Sequence, residues 1–558
     1  MTVRSVKPSP PATGLPHLWW LSFLVALSLP LHADGPGAAR TADLSLAELQ
    51  RLVLGWNDAI QMKLLEAAVS RKAYQGERGI FEPVVVGSID HTDTDRPNNR
   101  QQAASLGYLP LYMEQNTLYN AGLEFLLPTG ARLRTGYTLR DLNNNVGAPY
   151  TNYATLMGVQ FETFVGASLT QPLLKNFGYG ITTAKIRLAA IGSEIAFQEY
   201  RRQLMLTLAN AEAGYWELYL LQEQARFSGE SVATAQKILT DNQARAETGK
   251  SSGLEVLQSE AGVAFRRTRF NEAQQKVYEG GTRLSSLYAY TPGRNGPLPH
   301  AVDQPDGVED PMTIQASYQE AFAANPDYLI RRNQVEQENI RLAYTKNQRL
   351  PELNLKATYG LNGLGPTVGG SWDNLWGSDY PAWSVGAELR IPMTGGVKER
   401  SDYEAARLSK IRALTGLKDA EVQIFNGVDA AQRKVQLFKE SVTNYQSVAQ
   451  FHVKLLQAQM DRLAVGSTDS RTVLETEEKM FEAKVAVVES LVNYRKALLE
   501  LEIVRGSLLQ ARAAEVTRQA LKEQTEMRLR RDQVSWEAAE QFKREAVKDV
   551  DWAARHRN

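Results

Sequence analysis

Two short stretches of the chain share one pattern: an arginine four residues before a glycine, then hydroxyl-bearing residues, then an acid. Glycine ends helices well, and Ser, Thr or Asp begins the next helix well. Each stretch therefore predicts a tight turn between two helices, with charged side chains suited to electrostatic rather than covalent chemistry. The candidate residues are Arg245, Gly249, Lys250, Ser251, Ser252 and Glu255 in the first stretch, and Arg462, Gly466, Ser467, Thr468, Asp469 and Glu475 in the second.

The rest of the composition excludes most other chemistry. The chain has no cysteine, and its six histidines are too far apart in sequence to suggest a local metal-ligand pair. Lys and Arg balance Asp and Glu at 63 each, so the net charge does not attract nucleic acid. Phosphate-binding glycine loops and nucleophile–base pairs are missing from the sequence. We therefore expect no enzyme, no cofactor, no metal and no nucleic-acid partner.

The N-terminus has the layout of a secretory signal peptide. Arg4 and Lys7 precede an apolar core at 18–29, and a small residue, Ala33, comes just before Asp34. We predict a signal peptide at 1–33. No other apolar run reaches about 18 residues, which argues against a polytopic helical membrane protein.

The remaining chain contains one unit twice. Asn57 and Pro83 match Asn325 and Pro351 at one constant spacing, and the turns described above match each other further on. Each copy reads as helix, strands, long helix, turn, helix. The predicted divisions are repeat 1 at 45–291 with a turn at 248–253, a Pro-rich linker at 292–311, repeat 2 at 312–511 with a turn at 465–470, and a charged, solvated tail at 512–558.

Alternating apolar and polar residues predict amphipathic strands in both copies. The first copy carries an extra hairpin, 117–140, and the sequence leaves open whether this hairpin joins a barrel formed by the strands. A group of aromatic residues before the last strand fits either an interfacial girdle or the packing of a loop; its members are Trp372, Trp376, Tyr380 and Trp383.

Helical periodicity then extends without proline from 182 to 246, with apolar residues in steps of three and four. Some 65 residues make a rod of about 100 Å, and the two shorter helices of each copy together match that length. The predicted fold is α+β: long coiled-coil hairpins form an α-barrel, and antiparallel strands close a transmembrane β-barrel. A few strands in one chain cannot close a barrel, so we expect a symmetric oligomer, and three copies would give twelve or eighteen strands.

The duplicated turns, with Asn325-Pro326, Leu350-Pro351 and Ile391-Pro392-Met-Thr-Gly-Gly, resemble those of the TolC family of outer-membrane efflux and secretion ducts. The resemblance spans residues 45–511. It implies a homotrimer in outer-membrane lipid, with a tunnel through the periplasm that meets a periplasmic adaptor protein and an inner-membrane pump. It further implies that both turns lie at the adaptor-docking tip, with plain helix turns as the alternative.

The resemblance also places Glu255 and Glu475 at the positions of acids that narrow the family's tunnel mouth and select cations, against the alternative of solvated helix surface. A tyrosine and an arginine that latch the family's tip correspond here to Leu463 and Thr468, so the closed-state bonds must differ. The implied function is the duct of a tripartite efflux or type I secretion system, with the substrate left open. The alternative is a periplasmic coiled-coil scaffold or adaptor whose strands do not face lipid.

Overall fold

The computed structural model describes residues 41–105, 110–144, 159–248, 252–288, 298–305, 313–527 and 529–530, all in one compact unit that begins at Thr41. The predicted signal peptide, 1–33, lies outside the described residues. The helices are α1 (Leu46–Trp56), α2 (Asp58–Glu77), α3 (Arg100–Ser105), α4 (Tyr179–Thr182), α5 (Ala184–Glu247), α6 (Gly253–Ser285), α7 (Ile314–Ala324), α8 (Pro326–Gln348), α9 (Val368–Trp376), α10 (Val397–Ala464), α11 (Ser470–Arg505) and α12 (Leu508–Ala511). The strands are β1 (Thr41–Leu44), β2 (Val84–Pro97), β3 (Leu111–Leu126), β4 (Arg132–Asn144), β5 (Val159–Pro172), β6 (Leu298–Ala301), β7 (Glu352–Gly365) and β8 (Pro381–Arg390).

Two very long helices organise the helical part. α5 has 64 residues and α10 has 68, which correspond to about 96 and 102 Å. The shorter helices α2 and α6 both pack along α5, and α8 and α11 both pack along α10. This is the predicted arrangement of two short rods beside one long rod. None of the helices in the described ranges combines the length and apolar character needed to span a bilayer.

The first predicted helix of each copy is in fact two helices, because an asparagine divides it. The side-chain oxygen of Asn57 accepts from the Ile60 amide at 3.2 Å, and its nitrogen donates to the Leu287 carbonyl at 2.8 Å. Asn325 does the same with the Tyr328 amide and the Val504 carbonyl. A helix cap and a long-range bond from one side chain explain why asparagine occupies both breaks.

The predicted Pro-rich linker contains a strand that sequence reasoning missed. β6 pairs in parallel with β1, and the Asp303 carboxylate after it accepts from the Leu46 amide at 2.6 Å, at the start of α1. The Tyr215 hydroxyl of α5 donates to the Leu44 carbonyl at 3.0 Å. Burial raises the pKa of Tyr215 to about 12, so this hydroxyl stays protonated and can keep donating.

The start of the predicted solvated tail also packs against the helices. Leu521 is buried, and the Arg512 guanidinium contacts the carboxylates of Glu212 and Glu502 at 2.9 and 3.1 Å. Arg518 pairs with Glu194 on α5 at 2.7 Å. The tail is therefore docked through residue 521, because Leu521 belongs to the main core and Ala514 and Val516 pack against it. Residues 531–558 lie outside the described residues.

The six remaining strands form one antiparallel sheet in the order β2-β3-β4-β5-β7-β8. The predicted extra hairpin is β3 and β4, longer than the predicted 117–140, and it lies in the middle of the sheet between β2 and β5. The hairpin therefore belongs to the same sheet as the other strands. β2 and β8 are the edges, and within the described residues no strand pairs with their outer sides.

Buried polar side chains connect the two helical hairpins. Arg266 of α6 and Glu477 of α11 have side chains only 7% and 1% exposed, and their Nη2 and Oε2 atoms are 2.6 Å apart. Arg266 also donates to the Ser231 hydroxyl of α5 at 3.0 Å. Nearer the turns, the Asn242 amide of α5 donates to the hydroxyls of Ser259 and Ser470 at 2.7 and 2.6 Å. These bonds hold α5, α6 and α11 together without leaving the arginine unpaired.

We expect Glu477→Gln to destabilise the folded protein by about 3 kcal/mol, because it leaves the buried Arg266 charge without its main counter-ion. The thermal unfolding midpoint of purified protein in detergent should fall by several degrees. Glu475→Gln is the matched control, since it removes an exposed ion pair on the same helix and should cost under about 0.5 kcal/mol. Equal midpoints for the two variants would contradict a structural role for the buried pair.

Candidate functional site

The second predicted turn has a complete helix-ending motif. Gly466 has φ +76°, and its amide donates to the Leu463 carbonyl at 3.1 Å. The Ser467 amide donates to the Arg462 carbonyl at 2.9 Å, which completes the six-residue C-cap motif that requires a left-handed residue after the helix. The left-handed backbone conformation of the turn therefore favours glycine at position 466.

Asp469 then begins α11. Its Oδ1 accepts from the Thr472 amide at 2.8 Å, the usual N-cap bond. Hydrogen bonds from Thr472 hold the pKa of Asp469 below its ordinary value, so the carboxylate remains charged at neutral pH. Thr468 is half-buried, while Leu463 packs with Ile238 and Val473 in a small apolar cluster.

The first turn matches in its described part. Ser252 caps α6, with its hydroxyl accepting from the Glu255 amide at 3.3 Å. The Thr248 hydroxyl donates to the Arg245 carbonyl at 3.0 Å as α5 ends. Gly249, Lys250 and Ser251 lie outside the described residues.

The two predicted arginines lie at one end of the helical hairpins. The Arg245 guanidinium reaches the Ala464 carbonyl at 3.5 Å, so the end of α5 contacts the end of α10. Arg462 is exposed and donates to the Ser467 carbonyl at 3.3 Å. The structure therefore brings both turns to one tip, with a cationic side chain beside each.

The two predicted acids differ in their surroundings. Glu255 is half-buried in the first turn of α6. Glu475 is exposed, and its Oε1 accepts from Arg471 Nε at 2.8 Å, one helical turn away. The sequence interpretation missed this cation, which partly neutralises Glu475; the signal was the four-residue spacing of Arg471 and Glu475.

The sheet at the far end of the long helices has two chemically different faces, because its strands alternate in a fixed register. Residues that are opposite one another on adjacent strands form a row, and one apolar row includes Ile89, Tyr119 and Leu139. Further apolar rows follow toward the long helices, as far as Leu353. Many of these side chains are exposed, with Ile89 at 72% and Trp383 at 74%. The further members of this apolar face are Val85, Leu123, Phe125, Leu133, Tyr137, Val165, Leu169, Leu355, Tyr359, Leu361, Val385 and Leu389.

The opposite face of the sheet is polar and charged. Arg140 of β4 pairs with Glu114 of β3 and Glu162 of β5, both at 3.3 Å. Lys356 of β7 pairs with Glu388 of β8 at 2.5 Å. Ion pairs across three strand boundaries need water beside them, so this face is unsuited to lipid.

A row of glycines crosses the polar face. Gly122, Gly136, Gly166 and Gly360 are register partners on four consecutive strands. A Cβ on Gly136 would lie 2.7 Å from the Ala121 carbonyl, and one on Gly360 would lie 2.4 Å from the Phe164 ring. Glycine rows allow a sheet to bend sharply, as a closing wall must.

Comparison with known proteins agrees with this architecture. A family profile described as "Outer membrane efflux protein" matches residues 317–507. The pyoverdine export outer membrane protein OpmQ of Pseudomonas aeruginosa is 22% identical over 322 residues, which cover 56% of this chain and 65% of the relative. OpmQ of Pseudomonas putida is also 22% identical, with 58% and 66% covered. The chain thus aligns with just under two thirds of these relatives' length.

Solved channels share the fold at low identity. The Campylobacter jejuni CmeC outer membrane channel matches with a TM-score of 0.58 and 14% identity, over 83% of this chain and 85% of that one. The Vibrio cholerae outer membrane protein VceC matches with a TM-score of 0.57 and 15% identity, over 83% and 96%. Residues 317–507 are thus similar to outer-membrane efflux proteins, and the chain shares the fold of solved outer-membrane channels.

Proposed function

We propose that the protein is the outer-membrane duct of a tripartite efflux or type I secretion system. It passes substrates from a periplasmic adaptor and an inner-membrane transporter through its helical tunnel and across the outer membrane. The observation that carries this proposal is the two-faced sheet, whose two edges have no partner strand in the part of the chain that the structure describes, attached to helical hairpins of about 100 Å.

The apolar face of the sheet has the height of a membrane. Its rows extend over about ten residues, which is about 26 Å for strands tilted by about 40°. The outward apolar band of outer-membrane barrels is about 25 Å tall. In the rival reading, a soluble periplasmic scaffold, this whole face would be exposed to water at a cost of about 25 cal/mol for each Å².

Three chains close the wall. Each sheet has six strands, an even number, so β8 of one chain and β2 of the next run in opposite directions. Three sheets then give an antiparallel barrel of eighteen strands, about 36 Å across between backbones. A single six-stranded sheet would leave unpaired backbone groups in lipid, and each such group costs several kcal/mol of free energy.

Exposed apolar stripes on the helices support the same assembly. Side chains at steps of three and four residues remain uncovered on α10 and on α2, and a second copy of the chain is the occupant that buries them. These residues are Tyr445, Val448, Phe451 and Leu455 on α10, and Met62, Leu65 and Val69 on α2.

Two copies of one structural unit, 45–291 and 312–511, supply the helices of the tunnel. The matched asparagine breaks at Asn57 and Asn325, and the matched turns, support this duplication. The extra hairpin β3–β4 is then an insertion into the first copy.

Both turns form the adaptor-docking tip. Arg245→Glu together with Arg462→Glu should weaken adaptor binding about tenfold, because charge reversal at a docking surface adds repulsion. Capture of the host's periplasmic adaptor by affinity-tagged duct measures this. Arg433→Glu, an exposed arginine in the middle of α10, is the control and should bind normally. Unchanged capture by the tip variant would contradict the docking assignment.

Glu255 and Glu475 form the cation-selective constriction, with Arg471 reducing the effect of Glu475. Arg471→Gln should therefore increase cation preference, and Glu475→Gln should decrease it. The reversal potential of single channels in a salt gradient measures both shifts. If neither variant moves the reversal potential, Glu475 does not face the conduction path.

The hairpin β3–β4 sets the width of the wall. β2 and β5 run in opposite directions with their apolar faces on the same side, so a variant that joins them by a short turn keeps an antiparallel sheet. Deletion of the hairpin should narrow the barrel from about 36 Å to about 24 Å in electron microscopy. Replacing only α3 and its flanking loop with a short turn keeps all six strands and is the control.

Both variants should remain in the outer-membrane fraction and migrate as trimers on unboiled gels. Recovery of the intact protein as a soluble monomer would overturn the proposed function itself. An unchanged diameter in a trimeric deletion variant would contradict only the role of the hairpin.

A further inference from the structure

The short helix α9 lies between β7 and β8, at the end of the sheet that is farthest from the long helices. It packs on β7 and β5. The Thr163 hydroxyl of β5 donates to the Ser371 hydroxyl of α9 at 2.6 Å, and both residues are almost fully buried. Leu375, one turn further along α9, is also fully buried. The helix is therefore fixed to the sheet and is not a loose loop.

Glycines allow this close packing. A Cβ on Gly363 would lie 2.0 Å from the Ser371 carbonyl oxygen, and one on Gly365 would lie 2.5 Å from the Ser371 amide. The Trp372 ring stacks on the Tyr137 ring of β4, with centroids 5.0 Å apart and planes 17° apart.

The contacts of α9 decide which face it occupies. Thr163, Gly363 and Tyr137 all belong to the apolar face of the sheet by register. In the proposed barrel this face is turned to lipid, so α9 lies on the outside of the wall and leaves the lumen open. This step rests on the proposed function.

The position of α9 along the strands coincides with the end of the apolar band. Thr163 belongs to the same cross-strand row as Ile89 and Leu139. The next row on this face, two residues further along each strand, carries His91 on β2 and Asp141 on β4 in place of apolar residues. The boundary between acyl chains and headgroups therefore falls at α9.

The uncovered surface of α9 and its neighbours is aromatic. Trp376 is 69% exposed and Trp383 is 74% exposed. Tyr380 instead lines the polar face, in a cavity with Arg140 and Glu162. Trp376 stacks beside Trp372, with centroids 6.1 Å apart. Trp and Tyr rings favour the membrane interface because they combine an apolar body with one polar group.

We propose that α9 is a lipid-binding helix on the outer surface of the barrel, whose tryptophans bind at the boundary between the acyl chains and headgroups of the outer leaflet. Its partner is the bilayer lipid itself. By fixing this boundary on β7 and β5, the helix sets the height at which the barrel sits in the membrane.

Cysteine labelling tests this, because the natural chain has no cysteine. Trp376→Cys, Val385→Cys and Ser384→Cys each carry one small fluorophore on the full-length trimer, reconstituted in phosphatidylcholine vesicles. Lipids brominated near the headgroup or deep in the acyl chain quench by contact, and aqueous iodide quenches groups in water. Val385 reports the middle of the apolar face, and Ser384 reports the polar face of the same strand.

The label at Trp376 should lose fluorescence mainly to shallow bromines, the label at Val385 to deep bromines, and the label at Ser384 to iodide alone. If iodide quenches the Trp376 label and brominated lipids do not, while Val385 still responds to bromines, the inference about α9 is wrong and the barrel stands. If Val385 also fails to respond to brominated lipid, the sheet does not face lipid and the proposed function falls with it.

Discussion

The unpaired backbone N–H and C=O groups on the two edges of the sheet are the constraint on which the rest of the structure depends. The outer sides of β2 and β8 have no partner strand among the described residues, while the face between them is apolar over the height of a bilayer. Water could satisfy these edges, but lipid cannot. The chain therefore either leaves its apolar face in water or pairs its edges with further copies of itself. Only the paired sheet can place its apolar face in lipid.

The pairing of the sheet edges also determines how the long helices of neighbouring chains are placed. In the proposed trimer, the three sheets that close the barrel bring three pairs of long hairpins side by side, and the apolar stripes on α10 and α2 become contacts between chains. Within one chain, Arg266 and Glu477 tie α6 to α11, and Asn242 ties α5 to both near the turns. Such buried polar contacts specify one alignment of the hairpins, since any sliding would leave a buried charge unpaired.

The sequence predicts the parts of this fold that repeat a simple period. The long helices, both turns and the hairpin follow from steps of three and four or of two, sustained over many residues. The capping roles of Ser252, Gly466 and Asp469 follow equally from local chemistry. The break at Asn57 escaped prediction because it depends on a bond to Leu287, which lies far away in sequence.

Other features depend on contacts that one strand or helix does not reveal. β1 and β6 have four residues each and gain stability only from long-range contacts, by pairing with each other and by packing in the main core. Arg266 and Glu477 occupy positions spaced like core residues, a signal that becomes readable only once the helices are known to face each other. Trp372 and Trp376 could be assigned to the apolar face only from the register of β4, β5 and β7, whose residues Tyr137, Thr163 and Gly363 they or their helix contact.

The central claim, that three chains close one barrel through β8 and β2, can be tested by disulfide formation between neighbouring chains. Ser384→Cys on β8 is combined in turn with a cysteine at Val84, Val86, Ser88 or Asp90, the positions of β2 on the same polar face. The account predicts that one or two adjacent β2 positions give covalent dimers and trimers on oxidation, visible on boiled, non-reducing gels, because paired strands bring Cα atoms within about 4.4–6.8 Å. Trimers that assemble normally while every pair stays uncrosslinked would contradict it.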